Sequence, residues 1–482
     1  MKVCFACSEC YPYVKTGGLG DVCGSLPKSL AELGCESKVF LPLYGGIKTL
    51  TYGLNQIDHL QNISVKIGEN EHTFNVWLGT LPDSKVEVYF IDCPYYFHRE
   101  LPYTSDRDED ERFILFQQAI LMTLQRLEWS PDIIHCNDWQ TGLIPVYLKT
   151  TFAWDKLFED TKTILSIHNI GYQGRFSKES ITAAGLSMEQ FYPMGPFEID
   201  GGFSFLKAGI VYCDLITTVS PTYAKEIQTE EYGAGLEGVL QIRSQSLVGI
   251  LNGIDTDIWN PMKDKYIKAH YSVDDIEEKE LNKKNLIDRI EFKYKKDRPV
   301  IGLISRLTSQ KGFDLMKPFL YSLLGSNDLQ LVVLGSGEKQ YEELFRTASY
   351  SFPGKLFFWS GYNTELSHLI TAGADMFLMP SKYEPCGLNQ MYSLAYGTVP
   401  IVRKVGGLAD TVKDYHEFDE KGNGFSFEDY KADALEKTIY RALRIYEDKD
   451  TWKAIMERGM NEDFSWEHSA KEYLNLYEKL VS

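Results

Sequence analysis

The sequence lacks a long hydrophobic run and an excess of positive charge. No apolar stretch approaches about 20 residues, the length of a membrane-spanning helix, and the apolar run at residues 3–7 is too short for the core of a signal peptide. The formal net charge of −18 disfavours a broad surface for nucleic acid or anionic lipid. We therefore expect a cytoplasmic protein without a nucleic-acid or membrane partner, in which an anionic substrate meets local cations.

Two frequent phosphate-binding motifs are also missing. The sequence has no GxxxxGK[ST], and the N-terminal glycines Gly17, Gly18, Gly20 and Gly24 do not have the GxGxxG spacing. A dinucleotide-dependent oxidoreductase normally carries that spacing, followed about 20 residues later by an acidic residue. Such an oxidoreductase is therefore the weaker alternative, and a fluorescence change on mixing with NADH would support it.

Neither a disulfide framework nor a metal centre is indicated. The nine cysteines are an odd number scattered along the chain, which is typical of a reducing compartment. Cys4, Cys7 and Cys10 have a CxxCxxC spacing, but no fourth cysteine follows as in iron–sulfur proteins. The DxD spacing of metal-dependent sugar transferases occurs at residues 106–108 and 255–257, away from the predicted strand ends. We expect no metal and no cofactor.

The sequence does contain two successive series of buried strands and amphipathic helices. Its 482 residues are enough for two domains. The predicted fold class is α/β, with two Rossmann-like doubly wound domains and a deep central cleft between them. We predict an N-terminal domain at residues 1–252, a connection at 253–298, a second domain at 299–463, and a C-terminal helix at 464–482 that packs back on the first domain. Predicted strands are at residues 2–7, 39–43, 87–91, 132–136, 163–167, 215–219, 300–304, 329–334, 355–359, 376–379 and 399–402.

The second series is organised around residues 374–412, which read as strand, polar turn, helix, strand and glycine turn. Ligands of doubly wound sheets bind outside the carboxyl ends of the strands. The turn would bring the Glu384 carboxylate together with the backbone N–H groups of Gly387, Leu388 and Asn389 at a helix start. One turn that offers both a sugar-hydroxyl acceptor and phosphate donors suits a nucleotide-sugar. An ordinary loop with a capping acid has the same spacing, and the residues alone leave both interpretations open.

Polar and basic residues follow other predicted strands. Lys15 lies in a glycine-rich turn after the first strand, close to the predicted helix start at Asp21. Arg306 and Lys311 follow the strand at residues 300–304. Asp138 and the pair His168-Asn169 follow two further strands of the first domain. A solvent-exposed lysine and a core histidine are the plainer interpretations of Lys15 and His168.

Taken together, these residues resemble the bacterial glycogen synthases and plant-type starch synthases, which are retaining glucosyltransferases of the GT-B architecture. The resemblance covers nearly the whole chain. Its motifs are Lys15-Thr-Gly-Gly-Leu-Gly-Asp-Val, His135-Cys-Asn-Asp-Trp-Gln-Thr-Gly-Leu, Ser166-Ile-His-Asn-Ile-Gly-Tyr-Gln-Gly, Leu251-Asn-Gly-Ile-Asp, Ser305-Arg-Leu-Thr-Ser-Gln-Lys-Gly, Glu384-Pro-Cys-Gly-Leu and Gly406-Gly-Leu-Ala-Asp-Thr-Val.

The resemblance implies transfer of glucose from ADP-glucose to the non-reducing 4-hydroxyl of an α-1,4-glucan, glycogen or a starch-like polymer. It implies a catalytic set of Lys15, His168, Arg306, Lys311 and Glu384. It implies nucleotide-sugar contacts from Gly18, Asp21, Asn252, Tyr362, Gly387, Leu388 and Asn389, with Tyr362 stacked on the adenine. It implies further sugar contacts from Asp138 and Asn169.

Three departures from the family pattern affect these expectations. Asn389 replaces a common Thr, Gly20 replaces a frequent Ala, and Gln140 replaces a common His, which leaves acceptor contacts near Gln140 open. The same chemistry with UDP-glucose, and a non-catalytic glucan-binding protein, are the alternatives. Retention of Lys15, Arg306, Lys311 and Glu384 argues against the non-catalytic protein.

Overall fold

The structure, a computed structural model, describes residues 1–482, and its contacts divide the chain into two compact units. Unit 1 comprises Met1–Gly253 and Trp466–Ser482, and unit 2 comprises Ile254–Ser465. No helix in either unit combines the length and the apolar character required to cross a bilayer.

Unit 1 contains thirteen strands and nine helices. The strands are β1 Lys2–Ala6, β2 Glu36–Pro42, β3 Asn55–Gln56, β4 Ile63–Ile67, β5 Asn70–Thr80, β6 Glu87–Asp92, β7 Ile133–Asn137, β8 Lys162–Ile167, β9 Arg175–Phe176, β10 Glu198–Ile199, β11 Gly202–Ser204, β12 Leu215–Thr218 and β13 Leu247–Gly249. The helices are α1 Gly18–Glu32, α2 Pro94–Phe97, α3 Glu109–Arg126, α4 Ile144–Lys149, α5 Glu179–Ala183, α6 Phe205–Tyr212, α7 Pro221–Glu226, α8 Glu237–Ile242 and, from the end of the chain, α17 Trp466–Val481.

The main sheet of unit 1 has the order β13-β12-β8-β7-β1-β2-β6-β5-β3, with β4 paired to β5. The strands from β13 to β6 are all parallel, whereas β5 runs antiparallel to β6. Chain order reverses between β1 and β7, because β2 and β6 extend the sheet on one side of β1 and the later strands extend it on the other. Loops diverge at such a switch point and leave a crevice at the carboxyl ends of the strands. The loops after β1 and β7 therefore border the expected ligand position of this unit.

Unit 2 contains a six-stranded, fully parallel sheet and eight helices. The strands are β14 Val300–Ile304, β15 Gln330–Leu334, β16 Leu356–Trp359, β17 Met376–Met379, β18 Val399–Arg403 and β19 Phe425–Phe427. The helices are α9 Lys279–Arg289, α10 Leu320–Ser326, α11 Lys339–Ser351, α12 Thr364–Gly373, α13 Asn389–Ala395, α14 Gly406–Thr411, α15 Ala432–Glu447 and α16 Lys449–Met460. The order β16-β15-β14-β17-β18-β19 is that of a Rossmann sheet, and its switch point lies between β14 and β17.

The sheet of unit 2 is buried on both faces, as a doubly wound sheet requires. Successive side chains of a strand point to opposite faces. Leu331 and Val333 of β15 accordingly join one apolar cluster, whereas Val332 and Leu334 join the other. Such strands read as continuous apolar runs, which is why the sequence predicts them well.

Residues 254–298, for which the sequence predicts a connection, fold as part of unit 2. The Trp259 ring stacks between His368 and Tyr392, with ring centroids 3.9 and 4.0 Å away. The Asp264 carboxylate accepts a hydrogen bond from the Tyr396 hydroxyl at 2.7 Å and pairs with His368 at the same distance. These aromatic and polar contacts hold a segment whose composition offers few apolar anchors.

The last helix, α17, is part of unit 1. The Tyr477 hydroxyl lies 2.6 Å from His135 Nδ1 on β7, and the Ser469 hydroxyl donates a hydrogen bond to the Leu251 carbonyl at 2.7 Å. The helix at the C-terminal end of the sequence therefore packs on the central sheet of unit 1, as the sequence predicts.

Candidate active site

The loop after β1 presents Lys15 and Asp21 at the start of α1. The Lys15 ammonium pairs with the Asp21 carboxylate at 2.7 Å, and 42% of the lysine side chain is exposed. A Cβ added at Gly18 would meet no atom within 4 Å, so open space lies in front of this backbone. An exposed cation beside an open glycine backbone is suited to an anionic ligand.

A buried acid that the sequence analysis does not identify shapes this loop. The Glu9 carboxylate is 3% exposed and accepts hydrogen bonds from the Thr16 backbone N–H and hydroxyl, at 2.5 and 2.6 Å. It also accepts bonds from the Gly17 N–H and the Tyr103 hydroxyl. Glu9 therefore fixes the backbone on which Lys15 stands. The only local signal is an acid in an otherwise buried run, because Tyr103 is distant in sequence.

The loops after β7 and β8 bring Asp138 and His168 together. The His168 backbone N–H donates to Asp138 Oδ1 at 2.7 Å, and its ring Nε2 lies 2.9 Å from Asn137 Oδ1. Asp138 has φ 56° and ψ −171°, a conformation that non-glycine residues rarely adopt. Burial raises the pKa of Asp138 to about 7, against the opposing effect of the His168 and Asn169 backbone N–H groups. Burial lowers the pKa of His168 to about 4, so the imidazole is neutral at neutral pH.

Two buried amides of unit 1 have an acceptor oxygen without a hydrogen-bond partner. Asn252 follows β13, is 5% exposed and has an unpartnered Oδ1. Gln140, next to Asp138-Trp139, is 5% exposed and has an unpartnered Oε1. Buried polar atoms are usually paired, so these oxygens are suited to accept hydrogen bonds from a bound hydroxyl compound. Asn169 differs, because its Oδ1 accepts the Gly171 N–H at 3.0 Å.

In unit 2 the loops after β14 and β17 bring a cation and a carboxylate into contact. Lys311 Nζ lies 2.6 Å from Glu384 Oε2, with the two side chains 18% and 9% exposed. The Ser381 hydroxyl donates to the same oxygen at 3.0 Å. Gly312 has φ 75°, and a Cβ there would lie 1.9 Å from the Pro380 carbonyl oxygen, so only glycine permits this approach of the two loops.

Arg306 is exposed, and its guanidinium has no ion pair or hydrogen bond within the chain. The Gly335-Ser-Gly-Glu338 turn forms hydrogen bonds with the loop that carries Arg306. Glu338 Oε1 accepts the Ser309 N–H at 2.8 Å, and the Glu338 N–H donates to the Leu307 carbonyl at 2.7 Å. The sequence shows this turn but does not indicate its supporting role.

Backbone donors lie beside the Glu384 carboxylate. Gly387 has φ 73°. At the start of α13, the backbone N–H groups of Gly387, Leu388 and Asn389 form no hydrogen bond within the chain. Asn389 Nδ2 donates to the Ile304 carbonyl at 2.8 Å. The asparagine that replaces the common threonine therefore ties this turn to the end of β14, and only part of its amide remains for a ligand.

Gly406 and Gly407 allow the start of α14 to pack closely against the Glu384 turn. A Cβ at Gly406, where φ is 45°, would lie 1.9 Å from the Glu384 carbonyl oxygen, and one at Gly407 would lie 2.1 Å from the Cys386 carbonyl oxygen. The Gly407 N–H donates to the Glu384 carbonyl at 3.2 Å. The start of α14 therefore fixes the backbone that carries the carboxylate.

The remaining predicted residue of unit 2 is Tyr362, which follows β16 and is 80% exposed. Its ring is available for stacking on a planar ligand. No three His, Cys, Asp or Glu side chains of the structure are grouped as metal ligands. Independence of a metal stays a prediction.

Two Rossmann-type sheets in tandem, with an unpaired arginine and free N–H groups beside a carboxylate in the second, are the features of a GT-B nucleotide-sugar glycosyltransferase. Residues 2–242 match the family model described as starch synthase catalytic domain, and residues 286–458 match glycosyl transferases group 1. The chain belongs to the glycogen and starch synthase family of glucosyltransferases.

Individual relatives agree with this assignment. The chain is 45% identical over 485 residues to glycogen synthase of Thermotoga maritima, an alignment that covers 100% of this chain and 99% of the relative. It is similar to the catalytic domain of starch synthase IV from Arabidopsis thaliana, solved with ADP and acarbose, with a TM-score of 0.90 and 34% identity over 100% and 99% of the chains. Sucrose-phosphate synthase from Thermosynechococcus elongatus shares the fold alone, with a TM-score of 0.62 and 16% identity over 99% and 98% of the chains. The predicted α/β fold class and family are confirmed.

Proposed function

We propose that this chain transfers glucose from ADP-glucose to the 4-hydroxyl at the non-reducing end of an α-1,4-glucan, with retention of anomeric configuration. The observation that carries the proposal is the unpaired Arg306 guanidinium on the loop after β14, which also carries the Lys311 that pairs with Glu384, in a chain of this family. The full-length similarity to an enzyme solved with ADP supports the donor. Glycogen or a starch-like polymer is the proposed acceptor.

The proposed reaction breaks the bond between the anomeric carbon and the phosphate, and forms one between that carbon and the acceptor oxygen. A phosphate oxygen of the leaving ADP takes the proton of the acceptor hydroxyl, so no pair of carboxylates at glycosidase spacing is needed. Negative charge grows on ADP as the bond breaks. Preorganised cations stabilise that charge, with Arg306 as a planar fork and Lys311 and Lys15 as point charges. The N–H groups of Gly18, Gly387 and Leu388 add neutral donors.

The sugar is held by acceptor groups and the nucleotide base by an aromatic ring. Glu384 accepts hydrogen bonds from glucose hydroxyls, and the His168 carbonyl lies on the reacting face, where positive charge develops. Further sugar contacts come from Asp138, Asn169 and Asn252, and Tyr362 stacks on adenine. No metal or cofactor takes part in the proposed step.

Initial rates on glycogen with ADP-glucose and with UDP-glucose test the proposal. We expect faster turnover with ADP-glucose, and release of ADP only when glycogen is present. Faster turnover with UDP-glucose would overturn the donor assignment. Glucan binding without nucleotide release would make the chain a non-catalytic glucan-binding protein.

A further inference from the structure

The side chain of Asn137, at the end of β7, has only one orientation that satisfies its neighbours. Its Nδ2 donates to the carbonyl oxygens of Ala6 and His135 at 3.1 and 3.2 Å. Reversal of the amide would place its oxygen against both carbonyl oxygens, leaving three acceptors without a donor. The amide oxygen Oδ1 must therefore be the atom that faces His168, 2.9 Å from ring Nε2.

This orientation determines the tautomer of His168. An amide oxygen only accepts hydrogen bonds, so Nε2 must carry the hydrogen. In a neutral ring the other nitrogen, Nδ1, then has a lone pair. No group of the chain bonds to Nδ1, and the residue is only half-buried, so this lone pair is accessible to a ligand.

The groups packed around the ring do not compete with this arrangement. On the neighbouring strand, His135 is engaged on both nitrogens, with Ser166 Oγ and the Tyr477 hydroxyl each 2.6 Å away. Burial lowers the pKa of His135 to about 3, so it carries no charge near neutral pH. The Asp138 carboxyl accepts the backbone N–H of His168 rather than a ring N–H. The buried Cys7 sulfur lies 3.8 Å from Asn137 Nδ2, on the donor side of the amide.

We propose that Asn137 is a positioning residue that holds His168 in the Nε2–H tautomer, so that Nδ1 accepts a hydrogen bond from a hydroxyl of the transferred sugar. The inference rests on the proposed function for its ligand, while the tautomer itself follows from the contacts of Asn137. A neutral acceptor next to a sugar that gains positive charge stabilises it, whereas an imidazolium would repel it. Asparagine orients the ring without raising its pKa, which a carboxylate at the same place would do.

The tautomer is measured directly by long-range 1H–15N correlation spectra of the full chain labelled at histidine nitrogen. The chain has nine histidines, and the signal lost in His168→Gln identifies the one at position 168. We expect a protonated Nε2 and a bare Nδ1 near neutral pH. A protonated Nδ1, or rapid exchange between tautomers, would overturn the inference. This test does not depend on glucose transfer, so failure of the inference can be distinguished from failure of the proposed function.

The variant Asn137→Asp tests the consequence for catalysis. Its carboxylate stabilises the imidazolium, so the acid limb of the pH profile of kcat should move up by about one pH unit or more. The shift should disappear in the double variant with His168→Gln, and Asn55→Asp, at an exposed position of β3, should leave the profile unchanged. A folded Asn137→Asp enzyme with an unshifted acid limb would overturn the proposal. If this variant does not fold, the tautomer measured in the unaltered protein decides whether the inference holds.

Discussion

Asp138 should make unit 1 less stable as the pH rises from about 4 to about 7. Its carboxyl is 8% exposed, and burial raises its pKa from an ordinary 3.8 to about 7. Within that window the folded state holds a proton that the unfolded state has released. The stabilisation from this proton is complete below the unfolded pKa and is lost as the pH rises through the folded pKa.

The magnitude follows from the size of the pKa shift. A shift of about 3 units at about 1.36 kcal/mol per unit corresponds to about 4 kcal/mol as an upper value. The variant Asp138→Asn keeps an oxygen that can accept the His168 N–H but cannot ionise. The free energy of unfolding of the wild type should therefore fall relative to that of the variant between about pH 4 and about pH 7, and the difference should be constant above that range.

Urea unfolding followed by tryptophan fluorescence, at several pH values across this window, measures the difference. Asp160→Asn is the matched control, because Asp160 is exposed and should show no such dependence. A difference between wild type and Asp138→Asn that stays constant with pH, or that rises with pH, would refute the reasoning from burial.

Three further predictions concern unit 2 and the reaction. Glu384→Gln removes the charge that faces Lys311 at 2.6 Å. Loss of one charge-assisted hydrogen bond, about 1.5–3 kcal/mol, should reduce turnover about 10- to 100-fold in a coupled ADP assay while the circular dichroism spectrum stays unchanged, and a near-normal rate would exclude Glu384 from the site. In urea unfolding, Gly406→Ala should destabilise unit 2 far more than Gly53→Ala destabilises unit 1. Both glycines have positive φ, but only at Gly406 would the new Cβ lie 1.9 Å from a backbone oxygen. Equal losses of unfolding free energy would contradict the packing argument. Turnover should survive EDTA, and its abolition, with recovery on adding a divalent metal, would contradict a metal-free step.

Most of the parallel strands and the turns that follow them could be predicted from the sequence, although β13 and β19 were missed. Residues 374–412 read as strand, turn, helix, strand and glycine turn, and the structure has β17, α13 and β18 there. The predicted glycine turn is wrong, because Gly406 and Gly407 begin the helix α14. Such strands are continuous apolar runs ended by glycine or proline, so local composition carries the information. The antiparallel pair β4–β5 was not predicted, although Ile63–Ile67 alternates apolar and polar residues, which is the usual signal of a half-exposed strand.

The parts of the candidate site that the sequence did not indicate depend on contacts between distant residues. Glu9 is joined to Tyr103, and Asn389 is joined to Ile304, across separations that no local pattern encodes. Trp259 anchors a charged segment by stacking on two rings from helices more than a hundred residues later. Local propensity does not predict such pairs, because their residues become neighbours only when the sheets form.

The central claim is that the exposed cations Lys15 and Arg306 bind the diphosphate of the donor, and calorimetric titration of the full chain with ADP tests it most directly. We expect the affinity for ADP to fall about 10- to 100-fold in Lys15→Ala and in Arg306→Ala, because each variant removes one charge-assisted contact of about 1.5–3 kcal/mol. ADP binding that is unchanged in either variant would contradict the claim.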